Sequence, residues 1–345
     1  MNIFLDDSLC REALFPFTYT RHTADIRLGI LTIRQKWEML TNLQVITDKA
    51  CVNDQTIKIN AAIIPSASNV DLLIKSVMDN SPLPGEEIEV LTYPWNIFQL
   101  NDWALRQDFE LVTKGRKSQP LSSTNQVFNA ANIFIEQGAS VECSILNAAT
   151  GPIYIGKNAQ VMEGSLIRGP FALGENAVLK MGSKVYGATT LGPNCVGGGE
   201  IKNTVLFANS NKAHDGYLGD SVIGEWCNLG AGTSNSNVKN TGGNVKYIVD
   251  KEMNSIIAGN KAGLLMGDYS RAAINTSFNT GTIVGVCCNV FGAAPAKFVN
   301  NFSWGNEDYI FEKAIADIKN WKKMKRHNVS EEEIKMLKNI YTNKR

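Results

Sequence analysis

The stretch IGKNAQVMEGSLIRGPFALGENAVLKMGSKVYGATTLGPNC, Ile155 to Cys195, repeats itself every six residues. Ile155, Val161, Ile167, Leu173, Leu179, Val185 and Leu191 fall in one register. The residues four positions further on, Ala159, Ser165, Phe171, Ala177, Ser183, Thr189 and Cys195, are small in all but one case. In a chain that is 44% hydrophobic, seven apolar hits in one register arise by chance about 0.3% of the time, so the period is a structural signal. A six-residue period is that of a parallel β-helix of triangular section, in which each hexad makes one flat side and its aliphatic residue points into a narrow core. Glycine and asparagine in IGKN, LGEN and LGPN suit the corners, where tight turns favour residues that tolerate positive φ. Weaker rungs at Leu218, Ile223 and Leu229 resume the pattern after a break. Such a solenoid buries its core only by stacking coils, so it needs several repeats and something to cover its ends.

Outside the repeats the texture changes. From Met1 to about Thr113, short apolar runs (NIFL, LQVIT, IKINAAII, EIEVL) alternate with helical patterns such as ILTIRQKWEML and DLLIKSVM, which predicts a small layered α/β domain. Trp95, Phe98, Leu100, Trp103, Leu105 and Phe109 are spaced so that several share a helical face, and KGRKSQPLSST follows as a polar connection. Three parts are expected: residues 1–115 as the α/β domain, 116–305 as the β-helix and 306–345 as C-terminal helices. The last, an amphipathic stretch, predicts a cap or a clasp between copies, and its KKMKRH cluster (322–327) reads as a solvated face.

Composition narrows the function classes. Thirty-four Lys and Arg against thirty-three Asp and Glu give a net charge of +1, so no chain-wide field points to nucleic acid or an anionic membrane. The seven cysteines lack CxxC spacing and read as reduced thiols; with no basic leader and no membrane-length apolar run, the expected location is the cytoplasm. The three histidines, His22, His214 and His327, are scattered, so no metal site is expected.

The run KAHDGYLGDSVIGEWCNLGAGTSNSN, Lys212 to Asn237, resembles part of the acetyltransferase domain of the bifunctional N-acetylglucosamine-1-phosphate uridyltransferase/glucosamine-1-phosphate acetyltransferase family. That domain is a left-handed β-helix of hexapeptide repeats that forms trimers. The match lies in KAHDGYLGD, NLGAGT, the following Asn237, and GEIK (Gly199 to Lys202) upstream. The resemblance implies that His214 is the general base, taking a proton from a sugar amine as it attacks an acyl thioester, with Glu200 orienting it. It also implies that Lys202 and Lys184 face a sugar phosphate, that Tyr217 and Asn228 position the sugar, and that Asn237 lies near the acyl group. Acetyl-CoA or another acyl-CoA would be the donor, and the assembly a homotrimer. The chemistry is coherent in itself: imidazole accepts protons near neutrality, phosphate needs cationic partners, and backbone N–H groups of the NLGAGTS turn could face a developing oxyanion. Lys184 stands where that family has arginine. Past Ile248 the sequence matches the family only in being glycine-rich and β-like.

At the N-terminus, REALFPFTYTRHTADIR resembles the region of sugar-phosphate nucleotidyltransferases in which an arginine precedes Pro-Leu-Thr and a basic residue follows. Asp6, Asp7, Arg11 and Arg21 are then the candidate nucleotide or phosphate ligands, with Mg²⁺ required only if this domain is active. The usual glycine-rich phosphate loop is absent, since no glycine precedes Gly29. Arginines 11, 21 and 27 read rather as interdomain or surface ion pairs than as phosphate ligands. Three functions stand at this point: acyl transfer from coenzyme A to an amino sugar phosphate or nucleotide sugar, sugar-1-phosphate nucleotidyl transfer, and a non-catalytic trimeric scaffold that binds sugar nucleotides.

Overall fold

A computed structural model describes residues 1–82, 88–250 and 252–343. The strand Asn2–Asp6 pairs in parallel with Val45–Ile46 on one side and Thr56–Asn60 on the other. Ile3, Leu5, Ile57 and Ile59 bury their side chains in this small sheet. Helix Ile33–Thr41 starts on a capping box, in which the Thr32 hydroxyl accepts from Gln35 N–H and the Gln35 side chain accepts from Thr32 N–H, and stops at Asn42 in the left-handed conformation. The predicted helix after Tyr93 is two, Asn96–Gln99 and Asn101–Thr113, with Leu100 between them.

Three short parallel strands per coil build a parallel β-solenoid from Gln126 to Asp308, consistent with the left-handed β-helix expected. All seven hexad aliphatics from Ile155 to Leu191 are buried, as are all seven residues four positions on. The coils stack with an eighteen-residue step where the sequence is regular: Val161 lies beside Leu179 and Leu179 beside Gly197. Beyond that the step varies. Gly197 pairs with Lys212, Asn211 with Asn228, and Leu229 with Ala272. The last step is long because residues 237–262 leave the coil as an insertion, its neck closed by Ala262 N–H donating to the Asn237 carbonyl at 2.9 Å.

One corner explains the use of asparagine and its replacement. Asn158, Asn176, Asn194 and Asn209 succeed one another along it with φ between 55° and 65°, joined by backbone hydrogen bonds. Asparagine tolerates this left-handed geometry better than other residues with a Cβ. In the following coils the same corner carries Trp226, Tyr269, Cys287 and Phe302, also at positive φ. This apolar edge is where the C-terminal helices, Phe311–Met324 and Glu331–Thr342, dock, with Phe302 5.1 Å from the Tyr341 ring and 6.0 Å from Phe311.

Two of the three sides are covered. Along one, Val205, Val222, Leu265 and Ile283 stand side by side on successive coils and face outward into the core of the α/β domain. The hairpin of the insertion, Val245–Ile248 with Ser255–Gly259, joins the same core, Tyr247 stacking on Trp95 at 5.1 Å. Asn101, fully buried, donates from Nδ2 to the Ala188 carbonyl (2.7 Å) and accepts at Oδ1 from Gly29 N–H (2.8 Å). Another side is partly covered by helix Phe311–Met324. The KKMKRH cluster is a solvated face at Lys323, Met324, Arg326 and His327, which are exposed, but two of its lysines turn inward: Lys322 is buried and ion-paired with Glu333 at 2.7 Å, and Lys325 Nζ donates to the Asn209 carbonyl (2.7 Å) and Asn211 Oδ1 (2.9 Å). These two lysines tie the helices to the asparagine corner and to each other, so their positive charge is spent inside the fold. All seven cysteines are free, and no helix among the described residues is long and apolar enough to cross a membrane.

Candidate functional site

The third side carries most of the residues singled out in the sequence. Parallel pairing puts Lys184 beside Glu200 and Glu200 beside Tyr217, so the three follow one another up successive coils. Tyr186 and Lys202 form a second pair two residues along the same strands. The alternation of a strand, with Val185, Ile201 and Leu218 turned into the core, leaves 184, 200 and 217 outward. His214 sits on the turn three residues before Tyr217, exposed, in a shallow groove of about 490 Å³ with Lys180, Met181, Gly199, Asp215 and Asn275. Among the described residues no side chain hydrogen-bonds its imidazole, which leaves both ring nitrogens open.

Tyr217 is held by a network that the sequence did not reveal. Its hydroxyl accepts from Asn237 Nδ2 at 3.1 Å; the same amide also donates to Asp220 Oδ2, and Asp220 Oδ1 accepts from Asn203 Nδ2 at 2.7 Å. Burial, helped by the charges of Asp220 and Glu200, pushes the Tyr217 phenol up to about 12, so it remains a hydrogen-bond donor across the physiological range. Asn237 thus meets Tyr217 because the neck of the insertion folds back over it.

Lys212 is the second group the sequence reading passed over. It occupies the core-facing row that runs through Val161, Leu179 and Gly197, where every hexad would place an aliphatic. Its side chain is 1% exposed, and its ammonium donates to the Gly198 carbonyl at 3.2 Å, to the His214 carbonyl, and to the Asp215 carbonyl at 3.4 Å. The ammonium therefore pins the turn that presents His214. Burial pulls Lys212 down to about 8. A charge in the hexad register was the signal that could have found it.

Other expectations come apart. Asn228 is on the side facing the C-terminal helices, where its Oδ1 accepts from Asn211 Nδ2 at 3.3 Å; it does not join Tyr217 within one chain. Five of the seven NLGAGTS amides are not free to hold an oxyanion. Those of Asn228, Gly230, Gly232, Thr233 and Ser234 donate to the carbonyls of Ser270, Ala272, Asp215, Gly230 and Thr276, because the parallel ladder and the coil corner consume them.

In the α/β domain the four candidates are split. Asp6 is paired with Lys58 at 2.7 Å, and that contact with the Ser8 amide holds its carboxyl down at about 2. Asp7 accepts from Arg11 Nη1 at 2.7 Å and from Thr23 N–H at 3.2 Å, with His22 Nε2 3.3 Å away. Arg21 points the other way, into the interface, where it meets Asp268 and lies 3.7 Å from Glu225 and 4.7 Å from the Phe207 ring centroid. It is an interdomain ion pair and not part of a phosphate cradle with Asp6 and Asp7. A divalent cation does not fit this donor set, since both aspartates already hold cationic side chains, and no group of three or more candidate metal ligands occurs among the described residues.

Comparison with known proteins bears on both halves. Residues 2–83 match a family model described as sugar nucleotidyl transferase. A protein of Methanocaldococcus jannaschii named bifunctional protein GlmU is 32% identical over 118 residues, 33% of this chain and 28% of the relative. A bifunctional sugar-1-phosphate nucleotidylyltransferase/acetyltransferase of Sulfurisphaera tokodaii is 30% identical over 204 residues, covering 58% of this chain and 44% of the relative. A GlmU of Methanococcus vannielii is 25% identical over 232 residues, 61% and 46% of the two chains. The chain spans less than half the length of each of these curated relatives. With a short sugar nucleotidyl transferase-like domain joined to a parallel β-solenoid, it is similar to the bifunctional sugar nucleotidylyltransferase/acetyltransferases, the resemblance its hexads and its KAHDGYLGD run imply.

Proposed function

We propose that the chain is an acyltransferase that moves an acyl group from coenzyme A to the amine of an amino sugar phosphate or nucleotide sugar, working as a homotrimer in the cytoplasm. The observation that carries this reading is the row of Lys184, Glu200 and Tyr217 on the uncovered side of the solenoid, with His214 on the adjoining turn. A neutral amine attacks the thioester carbonyl carbon; the C–N bond forms, His214 takes the amine proton, the C–S bond breaks, and that proton leaves with the thiol. Glu200 orients the amine or the imidazole, Lys202 and Lys184 offer positive charge to the sugar phosphate, and Tyr217, fixed by Asn237, donates to the sugar. Asn228 enters such a site only from another copy of the chain, which ties its role to the trimer. The test is thiol release from acetyl-CoA in the presence of a panel of amino sugar phosphates. Release that needs the sugar and falls by about 10²- to 10⁴-fold in His214→Ala supports the reading; no release with any sugar from folded protein sinks it.

The family match over residues 2–83 favours a second reading, sugar-1-phosphate nucleotidyl transfer by the α/β domain. Against it stands the chemistry of the adjoining cleft, about 530 Å³, whose lining includes Phe15, Tyr93 and Phe298 but also Glu12, Asp250 and Glu252. Those carboxylates repel a triphosphate. Pyrophosphate release from a nucleoside triphosphate and a sugar 1-phosphate would revive this second reading. Binding of sugar nucleotides by a folded protein without turnover of either kind would leave the scaffold reading.

A further inference from the structure

The side of the solenoid that faces helix Phe311–Met324 carries its own row of outward residues. Asn228, Arg271, Asn289 and Trp304 follow one another on four successive coils. Together with Asp317 and Trp321 of the helix they line a cleft of about 440 Å³. Arg271 is 8% exposed, with its guanidinium carbon 5.1 Å from the Trp321 ring centroid. Its Nη1 donates to the Tyr269 carbonyl at 3.2 Å, but Nε and Nη2 are buried with no hydrogen-bond partner among the described residues. Asp317, the carboxylate on the cleft, accepts instead from the Tyr309 hydroxyl.

Arg271 feels the Asp317 carboxylate across the cleft but forms no ion pair with it, and a buried cation held without a direct ion pair is costly, the two unmet donors adding to that cost. The unmet pair is the Nε–Nη2 edge, the side of a guanidinium that matches two oxygens of a phosphate or carboxylate in a fork. The residue one coil below supplies a further donor: the Oδ1 of Asn228 is occupied by Asn211, which leaves its Nδ2 to donate. Three donors suit the three oxygens of a phosphate better than the two of a carboxylate. The outer wall is Trp304, 45% exposed, an apolar ring that sugars and bases stack on, held edge-on against Tyr309 at 5.0 Å.

We propose that this cleft is a second ligand site, taking a phosphate borne on a ring, a sugar phosphate or a nucleotide, with the Arg271 fork on the phosphate and Trp304 on the ring. It shares no lining residue with the His214 groove and does not depend on the acyltransferase reading.

The test is calorimetric titration of the whole chain with uridine monophosphate, uridine, glucose 6-phosphate, glucose and inorganic phosphate, with tryptophan fluorescence as a second readout. Saturable binding of uridine monophosphate or glucose 6-phosphate is expected, with the better of the two naming the source. Uridine and glucose should not bind, and inorganic phosphate should bind at least about tenfold more weakly. Arg271→Met should weaken binding at least about tenfold, and Arg271→Lys nearly as much, because lysine lacks the fork. If Arg271→Met does not fold, Asn228→Asp, which sets a carboxylate beside the phosphate, should abolish binding in its place. His214→Ala should bind as the parent does. Failure of both phosphorylated probes to bind, equal binding without the phosphate, unchanged affinity in the folded Arg271 or Asn228 variants, or loss of binding in His214→Ala overturns the proposal.

Discussion

The coils on either side of Gly197 follow one plan and differ in how strictly they keep it. From Ile153 to Gly197 the step is eighteen residues, the inward positions are aliphatic or small but for Phe171, and the corner is asparagine. Above it the step shortens and then jumps, a lysine enters the core row, the corner turns from asparagine to apolar residues after Asn209, and residues 237–262 loop out. Glu200, Lys202, Lys212, His214, Tyr217, Asn237 and Arg271 all belong to the irregular part, and of the residues given a role at the candidate site Lys184 alone stands on the regular coils. A perfect repeat offers the same three outward rows on every coil, which builds stability and no particular pocket. Breaking the period gives each coil its own residues, and the aliphatic stack below supplies the stability that lets the upper coils depart.

The sharpest way to break this division is Asp268→Asn. Asp268 belongs to the irregular coils, yet it is structural: its carboxylate accepts from Thr20 Oγ1 at 2.7 Å, from Glu225 N–H at 2.8 Å and from buried Arg21. Removing its charge leaves buried Arg21 with only the more distant Glu225, 3.7 Å away, at a cost of up to about 3–5 kcal/mol. Denaturant unfolding should show that loss, or split into two transitions as the domains part. A single transition with unchanged midpoint would mean that the ion pair does not join the domains. In the regular coils, Leu173→Ala should cost about 2–5 kcal/mol for a residue with no solvent exposure while leaving acyl transfer per folded molecule unchanged. A fall in that specific activity would show that the packing of the lower core, and not only the Lys184 side chain, bears on the chemistry.

How much of this was legible follows the same line. The hexad register predicted every buried aliphatic from Ile155 to Leu191 because one physical demand, filling a narrow core, recurs at a fixed interval. Asn158, Asn176 and Asn194 were readable as corners for the same reason. The row of Val205, Val222, Leu265 and Ile283 was not, because each faces outward and is apolar only on account of the α/β domain that covers it, whose packing no local pattern encodes. Tyr217 and Asn237 could be paired only once the insertion was seen to return over the coil, and Arg21, read rather as an ion pair than as a phosphate ligand, had no nameable partner until the interface with Asp268 was formed. Asn228 was assigned by resemblance to the same site as Tyr217, and the step from Asn211 to Asn228 carries it to another side.

Lys212 gives the finest test, because it belongs to both plans at once: its stem lies in the core row, and its ammonium holds the carbonyls of the turn bearing His214. Burial lowers it from the ordinary 10.5 to about 8 in the folded chain. Between those two values the unfolded chain keeps the proton and the folded chain has released it. The unfolded state therefore binds more protons there, and stability must rise with pH across that window. In Lys212→Met this group's contribution vanishes, so the wild type should gain about 1 kcal/mol or more over the mutant on going from pH 8 to pH 10.5, measured by urea unfolding at each pH. Methionine fills the row without reaching the carbonyls of Gly198, His214 and Asp215, so the turn loosens, and acyl transfer should fall about tenfold in kcat with KM little changed. Lys212→Arg, which keeps donors at the end of the stem, should recover part of that loss. Equal kcat in all three proteins would mean that the turn holds His214 without its staple, and Lys212 would then be a tolerated charge in the core row with no bearing on the chemistry.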